Sequence, residues 1–243
     1  MKRLSLRRYK PSRKQVVVGV LALAAAALAL NWIYQVFRKP TELFFPVSGA
    51  LFKTPAETWR DYETIFRRHA TSVMTPELLA ALAQVEASGN PVARTPWRVA
   101  ASTDPREIYR PASSAVGMYQ ITDATFNDAR RYCIRANAAT EDCWFNSLYM
   151  RVIPSHAVEL TSAYLDLRVA ATLARHRPSG ATLEQKHNLA AIIHLCGASA
   201  GDAYAKRNFR LADGQRCGEH DPRSYLARVN AAKRLFARLS ALG

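Results

Sequence analysis

The chain divides by its hydrophobic pattern. From Val16 to Phe37 no residue is charged and the run is almost wholly apolar. A helix of that length spans roughly 33 Å, enough to cross the hydrocarbon layer of a bilayer. Trp32 and Tyr34 stand near its far end, where amphipathic rings favour the membrane interface. From residue 55 the pattern changes, and apolar residues recur at three- and four-residue spacing. Trp59, Tyr62, Ile65 and Phe66 predict a helix over 55–70. Thr75 as N-cap and Pro76 in the first turn open a second helix. It runs through Leu78, Leu79, Leu82 and Val85 until Gly89-Asn90-Pro91 ends it.

Helices also fit 122–136, 155–176, 182–196 and 222–241, the last carrying Tyr225, Val229, Leu235 and Phe236. Residues 92–116 read as irregular with a short hairpin, and 137–145 as a loop. No alternating strand set and no internal repeat is found. The expected fold is mainly α, with little or no β, preceded by one N-terminal transmembrane helix. The expected organisation is a basic segment over 1–15, an anchor over 16–37, a Pro- and Gly-punctuated linker over 38–54, and one domain over 55–243.

Charge supports that division. Lys2, Arg3, Arg7, Arg8, Lys10, Arg13 and Lys14 precede the apolar run, and only Arg38 and Lys39 follow it closely. The positive-inside bias then predicts a single-pass inner-membrane protein, N-terminus in the cytoplasm and domain in the periplasm. A cleaved signal peptide remains the alternative, because Ala24–Ala29 offers small-residue sites. The net charge is +15 for 243 residues, and removing the seven basic residues before Phe37 leaves +8. That excess suits an anionic polymer or a membrane surface. No nucleic-acid partner is expected, since no reading motif accompanies the charge.

An oxidising compartment fits the four cysteines. They allow three pairings; the two local ones, Cys133–Cys143 and Cys196–Cys217, close short loops and are expected. Zinc usually draws on closer Cys or His spacing, and no metal or other cofactor is expected.

The chemistry concentrates between Glu86 and Phe126. Glu86 is the only acid after Glu77 on the helix that Thr75 opens, and it sits in the last turn beside Val85. The negative end of the helix dipole and apolar neighbours both disfavour a carboxylate. They predict a raised pKa, as a general acid near neutral pH requires. A solvated Glu at a helix end is the bland alternative.

The segment Gln84-Val85-Glu86-Ala87-Ser88-Gly89-Asn90-Pro91 resembles the first motif of soluble-lytic-transglycosylase (SLT) domains. Ser114-Ala115-Val116-Gly117-Met118-Tyr119-Gln120-Ile121-Thr122 is similar to their second motif, Gly-Leu-Met-Gln followed by a helix. Asp221 to Val229 is similar to their closing Tyr-Val-x-x-Val helix, with Tyr225 at the Tyr. The resemblance implies a lysozyme-like helical fold and cleavage of the MurNAc-β-1,4-GlcNAc bond of peptidoglycan to a 1,6-anhydroMurNAc end. It implies Glu86 as the single acid/base, assisted by the substrate's N-acetyl group. That scheme departs from the usual two-carboxylate one.

It also implies substrate contacts from Ser114, Gly117, Met118, Tyr119, Gln120 and Tyr225. Tyr119 replaces the usual Met and would offer a ring to a sugar face. Tyr225 would hydrogen-bond and orient the Glu86 carboxyl. The family's Ala-Tyr-Asn is missing from Ile192 to Ala198, where His194 fits the Tyr position in one of several alignments. The insert Val92–Arg110 is longer than the usual spacer, and either builds a wall of the cleft or packs.

The role is general wall turnover or local opening of the wall for an envelope-spanning machine. A hydrolytic muramidase of the same fold and a non-catalytic peptidoglycan-binding scaffold stand as the other readings.

Overall fold

The computed structural model describes residues 12–44, 47–176 and 180–242. Lys2, Arg3, Arg7, Arg8 and Lys10 of the expected basic segment lie outside the described residues. The chain forms two compact units, one of Met1–Leu43 with Pro96–Ala112, the other of Phe44–Thr95 with Ser113–Gly243.

In the first unit, helix α1 spans Arg13–Arg38. Ser12 caps it, accepting from Gln15 N while the Gln15 side chain accepts from Ser12 N. Its most apolar window has a mean hydropathy of 2.4, and it is the one described helix long and apolar enough to cross a membrane. Within the insert, strands β1 (Trp97–Val99) and β2 (Tyr109–Pro111) pair antiparallel, with Arg98 opposite Arg110. A single helical turn, α4 (Pro105–Ile108), joins them.

The insert packs onto the C-terminal end of α1. Asn31 donates to Tyr109 O at 2.8 Å, Gln35 donates to Arg106 O at 2.8 Å, and Arg38 pairs with Glu107. Glu42 is fully buried and accepts a hydrogen bond from Trp97 Nε1 at 2.8 Å. Residues expected as a short linker carry 3-10 turns, at Pro40–Phe44 and Ser48–Leu51.

The second unit is helical. Helix α2 spans Pro55–Arg68 and α3 spans Pro76–Ala87, each with Thr as N-cap and Pro in the first turn. Helix α5 spans Asp123–Ala129, α6 Pro154–His176, α7 Leu183–Cys196, α8 Ala198–Lys206 and α9 Pro222–Ser240. The hub is α3. Every residue from Leu78 to Ala83 is fully buried, so this helix is enclosed on all sides, with α2 and α9 packed against it. Trp59 of α2 stacks on Phe66 of the same helix and meets Phe236 of α9 across the core. Burying one such Leu side chain stabilises the fold by about 1.5–3 kcal/mol.

The helix expected over 122–136 stops at Ala129. Strands β3 (Cys133–Arg135) and β4 (Ala138–Thr140) follow as a tight hairpin, with Ala136 and Asn137 both left-handed at the turn. Cys133 bonded to Cys143 and Ile134 N donating to Glu159 Oε1 at 2.9 Å hold the hairpin on α6. These long-range ties override the helical pattern of the segment. Helix α8 is an element that the apolar spacing did not predict.

Candidate active site

Glu86 is presented by the way α3 ends. Ser88 adopts the left-handed conformation at φ 48° and Gly89 follows at φ 64°. Gly89 N donates back to Ala83 O at 3.1 Å, which satisfies a carbonyl of the last turn. A Cβ on Gly89 would stand 2.3 Å from Thr58 Oγ1. That hydroxyl donates to Gln84 Oε1 at 2.7 Å, and Gln84 Nε2 donates to Lys53 O at 3.1 Å. Asn90 is fully buried; it donates to Ser48 O at 2.5 Å and accepts from Val92 N at 3.0 Å. The residues around Glu86 that carry the first motif therefore fasten one tight turn to α2 and its neighbours.

The second motif is a loop locked against that turn. Gly117 has φ 80°, and a Cβ there would meet Arg151 O at 2.5 Å and Pro91 O at 3.2 Å. Gly117, expected as a substrate contact, thus makes its close approach to the protein's own backbone. Gly117 N donates to Ala93 O at 2.9 Å. Arg151, which no sequence signal singled out, donates to Ser114 O at 2.9 Å and to Ile121 O at 2.7 Å, and pairs with Asp123 at 2.6 Å. Gln120 sits at φ 47°, a conformation rare outside glycine and asparagine. Its Nε2 donates to Gly117 O at 2.9 Å and Ala93 O at 3.3 Å, so the side-chain oxygen is the atom left for a ligand.

Two of the expected sugar contacts are not available on this loop. Met118 and Tyr119 are fully buried in the core. Tyr119 donates its hydroxyl to Leu79 O at 3.1 Å, and burial pushes its phenol well above the ordinary value. The physical reason is that the loop turns one apolar face inward onto α3, and Tyr119 fills that face. Ser114 is half-buried, and its hydroxyl accepts from Asp123 N at 3.1 Å, tying the loop to the start of α5.

Two side chains converge on Glu86 from the C-terminal helices. Tyr225 of α9 donates its hydroxyl to Glu86 Oε1 at 2.5 Å. His194 of α7 places Nε2 3.5 Å from the same oxygen, an ion-pair distance rather than a well-formed hydrogen bond. Tyr225 is almost wholly buried, and the Glu86 side chain keeps 16% of its surface exposed. A groove of about 220 Å³ opens beside His194, lined by Gln120, Thr122, Thr125, Tyr164, His194 and Leu195 among others. The Cys196–Cys217 disulfide fixes the wall that follows His194.

Burial is the largest single influence on the Glu86 carboxyl, and it pushes the pKa up. The close contact and charge of His194, the Tyr225 hydrogen bond and the charge of His220 act the other way. Together they bring Glu86 below the ordinary carboxylate value, which corrects the raised pKa expected from helix dipole and apolar neighbours. The correction comes from groups more than a hundred residues away in sequence. Burial, followed by the charge of Glu86 and the bond to it, lifts Tyr225 well above the ordinary phenol value, so it stays a donor. None of the groups acting most strongly on Glu86 is a carboxylate. Among the described residues, no group of three His, Cys, Asp or Glu side chains could hold a metal.

Residues 63–181 match the family model of the transglycosylase SLT domain. The chain carries an SLT domain of the lysozyme-like superfamily. That membership supports a lytic-transglycosylase-type function on peptidoglycan. The match contains Glu86 and the Gln120 loop, and ends before α7, so His194 and Tyr225 lie beyond it. No curated protein matches the sequence significantly.

Proposed function

We propose that this SLT-domain protein is a lytic transglycosylase that cleaves the MurNAc-β-1,4-GlcNAc bond of peptidoglycan without water, with Glu86 as its single acid/base. The observation that carries this is the Glu86 carboxyl itself. It stands partly exposed at the end of a rigid, buried helix, oriented by Tyr225 and His194, with no carboxylate among the groups that act most strongly on it. Both contacts fall on Oε1. Oε2 is then the oxygen that meets the sugar.

The reaction balances without a second protein acid. Glu86 gives its proton to the glycosidic oxygen, and the C1–O4 bonding pair leaves with that oxygen. The substrate's N-acetyl oxygen stabilises the electron-poor C1. A lone pair of O6 then forms the C1–O6 bond, and the O6 proton passes to the Glu86 carboxylate. The acid is restored and no water is consumed. A separate carboxylate at about 5–9.5 Å would be needed for the two hydrolytic schemes. Gln120 offers its free carbonyl oxygen to a sugar hydroxyl or amide at the groove.

In this reading the protein sits in the inner membrane with its SLT domain in the periplasm; an N-terminal helix long and apolar enough to be an anchor or a signal sequence supports it, as do the disulfides Cys133–Cys143 and Cys196–Cys217, which suit an oxidising compartment. The test is mass spectrometry of the products released from purified peptidoglycan by the full chain and by Glu86→Gln. Anhydro-ended muropeptides from the parent, and none from the variant, are expected. Reducing-end products would establish hydrolysis instead. Wall clearance by the variant at the parent's rate would remove Glu86 from the mechanism.

A further inference from the structure

The hairpin of β1 and β2 has two unlike faces, and the chemistry at Glu86 does not use it. Strand alternation in this register puts Trp97, Val99, Tyr109 and Pro111 on one face, and Arg98 opposite Arg110 on the other. The Trp97 and Tyr109 rings pack 5.1 Å apart. Val99 nevertheless keeps 74% of its surface exposed, and Tyr109 42%. We propose that this hairpin is a lipid-binding collar on the anchor. It lies in the headgroup layer on the domain side of the membrane, its apolar face toward the acyl chains and its arginine face on the phosphates of anionic phospholipids. The inference rests on the reading of α1 as a retained membrane anchor.

The place where the hairpin grips α1 sets its depth. Asn31, Gln35 and Arg38 stand at i, i+4 and i+7, on one face of the helix. Ile33 and Phe37, on the other side, are exposed. A hydrocarbon layer of about 30 Å takes about 20 helical residues, which counted from Val16 reaches Gln35. The polar stripe therefore straddles the outer edge of the hydrocarbon. A side-chain amide without a partner is costly there. The hairpin supplies the partners: Tyr109 O accepts from Asn31, and Arg106 O accepts from the buried Gln35. The Arg106 guanidinium also lies over the Tyr34 ring, 5.0 Å from its centroid. A hairpin bonded to α1 at these residues sits at headgroup depth when α1 crosses a bilayer.

The arginine face has more cations than acids to match them. Like charges directly opposite across an antiparallel pair repel, and Arg98 and Arg110 are so placed. Glu107 accepts from Arg110 at 3.0 Å and also pairs with Arg38, so one carboxylate serves two guanidiniums. Arg106 is matched by Asp104 at 2.8 Å. Arg98 is exposed, and among the described residues no acid pairs with it. A phosphate between Arg98 and Arg110 relieves their repulsion, and the planar guanidinium fits its oxygens. Trp and Tyr are at home in the same layer, where one side is apolar and the other wet. Val99 and Ile108 add exposed aliphatic surface that suits acyl chains and offers a sugar no hydrogen bond.

The test uses the full chain reconstituted into vesicles of phosphatidylethanolamine and phosphatidylglycerol, with a fluorophore attached through Val99→Cys. Bromines on the lipid acyl chains and iodide in the water are the two quenchers. Strong quenching by bromolipid and weak quenching by iodide are expected. Strong quenching by iodide with none by bromolipid would overturn the collar. A fluorophore attached through Leu23→Cys separates this failure from that of the anchor. If position 23 is also open to iodide and closed to bromolipid, α1 does not cross the membrane, and the anchor falls together with the collar. The arginine face is read from the fraction of brominated phosphatidylglycerol that half-quenches position 99. Arg98→Gln changes an exposed side chain and is expected to raise that fraction roughly fivefold, the effect of one arginine at an anionic surface. A fraction equal to the parent's would overturn the assignment of lipid phosphate to Arg98.

Discussion

Tyr225 and Glu86 are 139 residues apart in sequence and meet through one hydrogen bond of 2.5 Å. The phenol is held by a helix that packs on α3 along its length, so the donor is placed by the core and not by a loop. Tyr225→Phe keeps the ring and deletes the donor. Oε1 then keeps only the His194 contact, the carboxyl gains freedom, and its pKa moves up because a bond that favours the ionised form is lost. A hydrogen bond to a charged group contributes about 1.5–3 kcal/mol. The expected result is a fall of roughly 10- to 100-fold in kcat with little change in melting temperature. A variant with the parent's kcat would show that the Tyr225 hydroxyl does not orient the acid.

The difference between what was legible in the sequence and what was not follows the range of the interactions. The boundaries of α3 were legible because both are written locally, by Thr75-Pro76 at one end and Gly89-Asn90-Pro91 at the other. Glu86 stood out for the same reason, as an acid in the last turn of an apolar helix. The cysteine pairs Cys133–Cys143 and Cys196–Cys217 also close short loops.

Tyr119 reads as a groove residue because a ring in a motif looks alike whether it faces a groove or a core; it turns inward in a loop whose Gly117 packs closely on the Arg151 backbone, 34 residues further along the chain. The hairpin of β3 and β4 was hidden because its residues suit a helix, and the ties that bend it come from Cys143 and Glu159. The proximity of His194 to Glu86 had no local signal. It arises because α7 and α9 both pack into the core around α3.

Gly117 supplies a prediction that separates positioning from binding. Its φ of 80° disfavours an L side chain, and an added Cβ would lie 2.5 Å from the Arg151 carbonyl, a backbone atom that cannot rotate away. Gly117→Ala is therefore expected to destabilise by about 2–4 kcal/mol, from backbone strain and forced separation of the two segments. It should also displace Gln120, whose amide hydrogens bond Gly117 O and Ala93 O. Thermal unfolding with an activity assay checks both effects. An unchanged melting temperature would mean the loop is not clamped on Arg151.

Stability should fall on mild acidification because of His187. This side chain is buried on α7, and burial, with the nearby Lys233 charge, lowers its pKa from 6.5 to about 4. The unfolded chain binds a proton between those values and the folded chain does not. Stability therefore rises with pH through that window and is lost as pH falls from about 6.5 toward 4. The full contribution is about 3 kcal/mol as an upper bound. His187→Gln should flatten this part of the curve. Melting temperatures of parent and variant at matched pH values provide the measurement, and equal slopes would exclude His187 as the source.

The Cys196–Cys217 disulfide is expected to matter more for activity than its contribution to stability suggests. It ties the residue that ends α7 to the turn that leads into α9, the two helices that deliver His194 and Tyr225. Closing a loop of 21 residues stabilises the fold by about 3 kcal/mol in the chain-entropy view. Replacing both cysteines by serine should therefore leave a folded core around α3, because Cys196 only flanks that core. The groove wall beyond His194 would loosen, and Glu86 would lose the fixed placement of its partner. The expected outcome is a loss of peptidoglycan cleavage at temperatures where far-UV circular dichroism still reports the parent's helix content. The Cys133–Cys143 double serine variant is the control, since that bond staples the β3–β4 hairpin instead. If both double variants lose activity only where they lose helix, neither disulfide positions the site.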